Sequence, residues 1–149
     1  MKAVIENTGE IGRTPEDVFD YLSDMANEVA YNPDCVSMER LTDGPVGVGT
    51  KYRAKWKQSP GAIITECTEH ERPRVWTYVN GGPISVTLTV MLEPTATGGT
   101  RMTSRSEWSP HGWFRFIFPI FVLVMRRAER NVNANARRAL QEHRDKPVA

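Results

Sequence analysis

Three side chains in this sequence can move a proton from a strand or a loop: Tyr52, Glu66 and His111. His111 follows Ser109-Pro110 in a connector, and imidazole is the side chain best suited to proton transfer at neutral pH, so it is the better general acid or base. Glu66 depends on strand parity. If it faces inward, it is a catalytic group or an arginine's partner. If Cys67 faces inward instead, Glu66 is an ordinary surface carboxylate, and this second reading is preferred. His70, in "EHERP", reads as a solvated strand end, and His143 as a solvated residue of the helix tail. No two histidines have metal-ligand spacing, and Cys35 and Cys67 form no CxxC, so neither metal nor cofactor is expected. Nucleotide and nucleophile-elbow fingerprints are missing, and neither Ser85 nor Ser104 has a visible base.

A second constellation points to binding rather than catalysis. Strand parity turns Tyr52 and Trp56 to one face, and Ser104, Ser106 and Trp108 to the inward face of a later strand. Trp113, Phe116, Phe121, Met125, Ala128 and Val132 come to the same interior from the closing segment. Buried serines without partners cost about 1–3 kcal/mol each. A cavity with a few placed polar groups would satisfy them, and Ala128 and Ala136 are small enough to leave room for one.

The elements that must position these residues follow from periodicity. Residues 2–13 alternate as a first strand. Thr14-Pro15-Glu16-Asp17 opens a helix, with threonine as cap and proline in the first turn, and Asn32-Pro33 ends that region after one or two short helices. Six β-rich runs then follow, at 36–41, 50–57, 62–69, 74–79, 85–93 and 100–108, separated by glycine and proline. Within them Val86, Leu88, Val90 and Leu92 face inward. The chain closes with a long helix. Its apolar or small face is Phe121, Met125, Ala128, Val132, Asn135, Ala136, Ala139 and Leu140. Arg126, Arg130, Asn133 and Arg137 take another face. Pro119 requires that this helix start near it, or start earlier and kink there. The whole is an α+β fold.

Bulk properties narrow the function. The 149 residues suit one domain spanning 1–149, and a net charge of +1 lacks a nucleic-acid binder's basic footprint. The N-terminus lacks an apolar signal core, and two cysteines read as free thiols, which together predict a cytoplasmic protein. The apolar run from Trp113 to Met125 contains Arg115 and Pro119 and is too short to cross a bilayer, which takes about 20 residues. The basic strip from Arg126 to Arg138, partly offset by Glu129 and Glu142, reads as a solvated helix face. Joined to the aromatic run, it could touch an anionic membrane transiently.

The stretches "TPEDVFDYLSD", "YNPD", "GVGTKYRAKW", "ECTEHERPRVWTY" and "GGTRMTSRSEW", followed by the long helix, resemble in this order the START-like helix-grip superfamily. This is the polyketide cyclase/dehydrase and lipid-transport group. The resemblance implies a seven-stranded curved antiparallel sheet gripping the C-terminal helix, two short helices after the first strand, and a hydrophobic cavity between sheet and helix. It also implies a hydrophobic small-molecule partner, a lipid or polyketide-like compound. Binding or carriage of such a compound is the leading reading for this chain; a cyclase, aromatase or dehydratase is the rival, and a regulatory interaction protein with a closed core is a third. Tyr31 stands where many relatives have tryptophan.

Overall fold

A computed structural model describes residues 2–59 and 61–145, and side chains as far as residue 141. His143 and Glu142 therefore lie outside the described side chains. Strand β1 (Ala3–Ile11) leads into α1 (Pro15–Leu22), a 3-10 turn (Met25–Asn27) and α2 (Glu28–Tyr31). Strands β2 (Cys35–Arg40), β3 (Lys51–Trp56), β4 (Ile63–Glu71), β5 (Val75–Asn80), β6 (Ile84–Pro94) and β7 (Thr100–Pro110) follow. A second 3-10 turn (Gly112–Phe116) precedes the long helix α3 (Phe118–Asp145). The strands form a single antiparallel sheet in the order β1-β7-β6-β5-β4-β3-β2. The helix-grip architecture expected from sequence is the one observed.

Local chemistry sets the boundaries. Thr14 caps α1 by accepting from the Asp17 N–H at 3.2 Å, and Pro15 occupies the first turn, where no N–H is needed. Asp24 then caps the 3-10 turn through the Ala26 N–H, which separates α1 from α2. Pro119 also lies in a first turn, so α3 starts beside it rather than kinking.

Period-two burial builds the inner wall of the sheet. Tyr52, Ala54, Cys67, Trp76, Tyr78, Val90, Leu92 and Met102 are all buried. Glu66 lies on the opposite face, 3.5 Å from Lys51, as the preferred parity predicts. A bulge between Cys67 and Glu69 then shifts β4 by one residue. That shift corrects the reading of His70: it is half-buried, with its ring set edge-on to Phe19 at a centroid distance of 4.9 Å.

Two tyrosines fasten the short helices to the sheet. Tyr78 donates its hydroxyl to the Ser23 carbonyl at 2.7 Å, and Tyr52 donates to Asp24 Oδ1 at 2.8 Å. At the far end of α3, Ala136 and Leu140 are buried, and the Leu140 carbonyl accepts from Arg13. The Arg137 guanidinium lies directly over Gly9, where a Cβ would have no room. Arg137 is thus half-buried against β1, not on a solvated face.

The buried Tyr78 hydroxyl generates a stability prediction. Tyr78→Phe leaves the Ser23 carbonyl without this donor, at a cost of about 1–2 kcal/mol. Thermal melting should fall by about 3–6 °C; an unchanged midpoint would show that the contact contributes nothing.

Candidate functional site

Between the concave sheet and α3 lies a cavity of about 340 Å3, within the usual size range for small-molecule sites. Its wall is mainly aliphatic and aromatic. Val86, Leu88 and Val90 come from β6, Met102 and Trp108 from β7, and Phe121, Met125, Ala128, Val132 and Ala136 from α3. The Trp108 and Phe121 rings meet edge-to-face at 5.8 Å.

The polar groups on this wall are few and connected. Ser106 donates its hydroxyl to the Glu129 carboxylate, 2.9 and 2.8 Å from its two oxygens, and accepts from Trp108 Nε1 at 2.8 Å. One turn further along α3, Ser104 donates to Asn133 Oδ1 at 3.1 Å, and Asn133 Nδ2 donates to the Glu129 backbone carbonyl at 2.8 Å. Burial of the Glu129 carboxyl pushes it up to about 7. Hydrogen bonds from Ser106 and Trp108 and the charge of Arg126 pull it back, while the Glu28 charge pushes it further up.

Glu28 is the second acid of the cavity. Only 8 % of it is exposed. Its Oε1 accepts from Asn32 Nδ2 at 2.7 Å and from Trp56 Nε1 at 3.0 Å. Its Oε2 is buried and has no partner. Burial raises its pKa, and the Asn32 and Trp56 bonds oppose that rise. Asp34 also lines the cavity, but no lysine, arginine or histidine is found among the described lining residues.

The structure distributes the residues singled out from sequence unevenly. Trp56, Ser104, Ser106, Trp108, Phe121, Met125, Ala128 and Val132 are gathered around the cavity. Tyr52 is fully buried, but it stands behind the wall, bonded to Asp24, with its hydroxyl pushed up to about 12 by burial. Glu66 is on the outer face of the sheet. His111 is exposed on the connector, 2.7 Å from Ser85 Oγ. Trp113 and Phe116 do not line the cavity: they are 64 % and 80 % exposed, and Phe114 and Ile117 face inward in their place. The tight pitch of the 3-10 turn accounts for the exchange, because successive side chains step by about a third of a turn.

Sequence reasoning misses Glu28, Glu129 and Asn133 as cavity residues. It reads Glu129 as part of a solvated helix face and puts Asn133 on the face of Arg126, Arg130 and Arg137, yet Met125, Glu129, Val132 and Ala136 follow one another at steps of four, three and four, a single helical stripe. An acid inside an apolar stripe is the available signal. Among the described residues, no cluster of three His, Cys, Asp or Glu side chains can hold a metal ion. No described helix is long and apolar enough to cross a membrane.

A curved sheet closed over by one helix, with a largely apolar cavity between them, defines a helix-grip ligand-binding fold. The family model for polyketide cyclase / dehydrase and lipid transport matches residues 2–145, and the chain belongs to that family. A protein from Thermus thermophilus superposes with a TM-score of 0.78 at 14 % identity, covering 95 % of this chain and 99 % of that one. A conserved protein from Geobacillus kaustophilus gives 0.75 at 17 % identity, covering 94 % and 96 %. Truncated norcoclaurine synthase from Thalictrum flavum gives 0.72 at 16 % identity, covering 96 % of each chain. At these identities the likeness is one of fold. No curated protein is similar enough in sequence to match.

The Glu129 site makes stability depend on pH in a definite direction. Its folded-state carboxyl holds a proton up to about 7, against an ordinary value of 4.5. Its contribution is therefore fully present below the unfolded value and is lost as pH rises through the folded one. Glu129→Gln should melt close to the parent protein at about pH 5 and be more stable at about pH 8, by about 3 kcal/mol at most. Parallel melting curves across that range would contradict a buried Glu129 acid.

Proposed function

We propose that this protein binds or carries a hydrophobic small molecule, a lipid or polyketide-like compound, in the cavity between sheet and α3. The observation that carries this reading is the cavity itself: about 340 Å3, largely apolar, with its polar groups confined to a few connected positions. Burying ligand carbon there contributes about 25 cal/mol per Å2 before association costs. The Ser106–Glu129 and Ser104–Asn133 pairs would orient a polar end.

A catalytic reading has one specific support, which differs from the sequence candidates. Tyr52, Glu66 and His111 do not line the cavity, but Glu129 does, with a carboxyl near 7 that suits proton transfer at neutral pH. A cyclase- or dehydratase-type enzyme would use Glu129 as its acid or base, and catalysis would be lost in Glu129→Gln with ligand uptake retained.

A cytoplasmic placement belongs to the same reading, supported by the two unpaired, buried thiols of Cys35 and Cys67. Transient membrane contact has a physical basis at the lid. Phe116, Ile120 and Leu123 are 80 %, 70 % and 69 % exposed, beside exposed Arg115, Arg126 and Arg127. Such an apolar ridge with basic flanks suits an anionic bilayer surface. The double change Phe116→Asp with Ile120→Asp should abolish flotation with anionic vesicles and leave ligand binding intact. Unchanged flotation would remove the lid from the membrane reading.

The cavity is tested by filling it. Ala128→Trp places an indole within its wall and should weaken uptake of the neutral dye Nile red at least about tenfold, with the circular dichroism spectrum retained. Parent protein that takes up no apolar dye, and yields no extractable compound in native mass spectrometry, would contradict the binding reading.

A further inference from the structure

The cavity's charge pattern narrows the chemistry of its occupant. Glu28 Oε2 is an acceptor without a partner, on a side chain more than nine-tenths buried, in the wall of the cavity. Glu129 is a second carboxyl on the same wall, close enough for the Glu28 charge to act on it. The described lining residues include no cationic side chain to balance either acid. Buried carboxylates are ordinarily paired or hydrogen-bonded, because an uncompensated one costs several kcal/mol. In the empty protein burial raises the pKa of both acids, so they meet this cost by holding protons, and a ligand with a positive donor would take the place of those protons.

We infer that the cavity selects an amphiphile whose polar end is an ammonium N–H donor, an alkyl- or arylalkylamine, with the Glu28 carboxyl as its acceptor and the Glu129 carboxyl as the second acid of the same wall. This inference rests on the binding reading above and names the ligand class for it. An ammonium brings both the positive charge and several donors. Charge-assisted N–H bonds to a carboxylate are about twice as strong as neutral ones. An alcohol offers one O–H and no charge. A fatty-acid carboxylate finds no cationic side chain on the described lining to receive it, and opposes ionisation of either acid, so the site rejects it. The hydrocarbon part lies against Val86, Leu88, Met125 and Val132. Trp56 and Asn32 hold Glu28 Oε1 and fix this side chain in the cavity wall.

The test compares three probes of equal chain length, octylamine, octanol and octanoate, by their displacement of Nile red from the intact protein at neutral pH. Octylamine should bind at least about tenfold more tightly than octanol, and octanoate most weakly. Glu28→Gln should bring the amine-to-alcohol ratio down to about one and leave octanol affinity within about twofold. The ratio is read within one protein, so partial loss of fold does not imitate the effect. If Glu28→Gln does not fold, the order of the three probes on the parent protein and the ratio in Glu129→Gln decide the matter. Octanol or octanoate binding as tightly as octylamine overturns the inference and leaves the apolar cavity standing. A full amine preference in Glu28→Gln also overturns it. If none of the probes binds and Nile red is not taken up, the cavity reading fails and this inference fails with it.

Discussion

The structure depends on α3 being fastened to the sheet over its C-terminal half and held away from it over its N-terminal half. Ala136 and Leu140 are buried, Arg13 reaches the Leu140 carbonyl, and Arg137 lies on Gly9. Toward the other end, Val132, Ala128, Met125 and Phe121 border open volume instead of a packed core. The boundary between the two regimes is polar. Ser104 with Asn133, and Ser106 with Glu129, span the gap at hydrogen-bond length, where apolar side chains would have closed it. A well-packed interior tolerates few voids, so an opening of this size needs such struts, or an occupant.

Those struts have an electrostatic consequence. A carboxyl that bridges helix and sheet in an apolar setting must either hold its proton or find a counter-charge. Glu129 does the first near neutral pH, and Glu28, with one oxygen bonded twice and the other unbonded, is half-satisfied. The same two groups thus weaken the empty protein as pH rises and give the cavity its preference among ligands. Stability and selectivity are linked through Glu28 and Glu129, and a ligand that supplies a positive donor would relieve both at once.

Much of the scaffold is legible in the amino-acid sequence, because its signals are local. Alternation places Val86, Leu88 and Val90 on the inner wall, and Ser104, Ser106 and Trp108 opposite α3. Thr14-Pro15 and Pro119 mark the two helix starts. Three features are not legible, each for its own reason. The bulge after Cys67 reverses strand parity and turns His70 inward against Phe19, and nothing in "CTEHE" announces it. The apolar run around Trp113 and Phe116 carries no indication of which side chains face out once it winds as a 3-10 turn. Glu129 escapes notice because an acid among arginines reads as surface charge. Only the angular position it shares with Met125 and Val132 places it under the helix.

The central claim is that α3 holds the Glu129 carboxyl in the wall of an apolar cavity. NMR titration of the Glu129 side-chain carboxyl carbon in the folded protein tests this most directly. An apparent pKa of about 7 is the expected result, with a fall when a cationic amphiphile is added. A titration at the ordinary value of 4.5, insensitive to any apolar ligand, would mean that Glu129 faces water and does not line an apolar cavity.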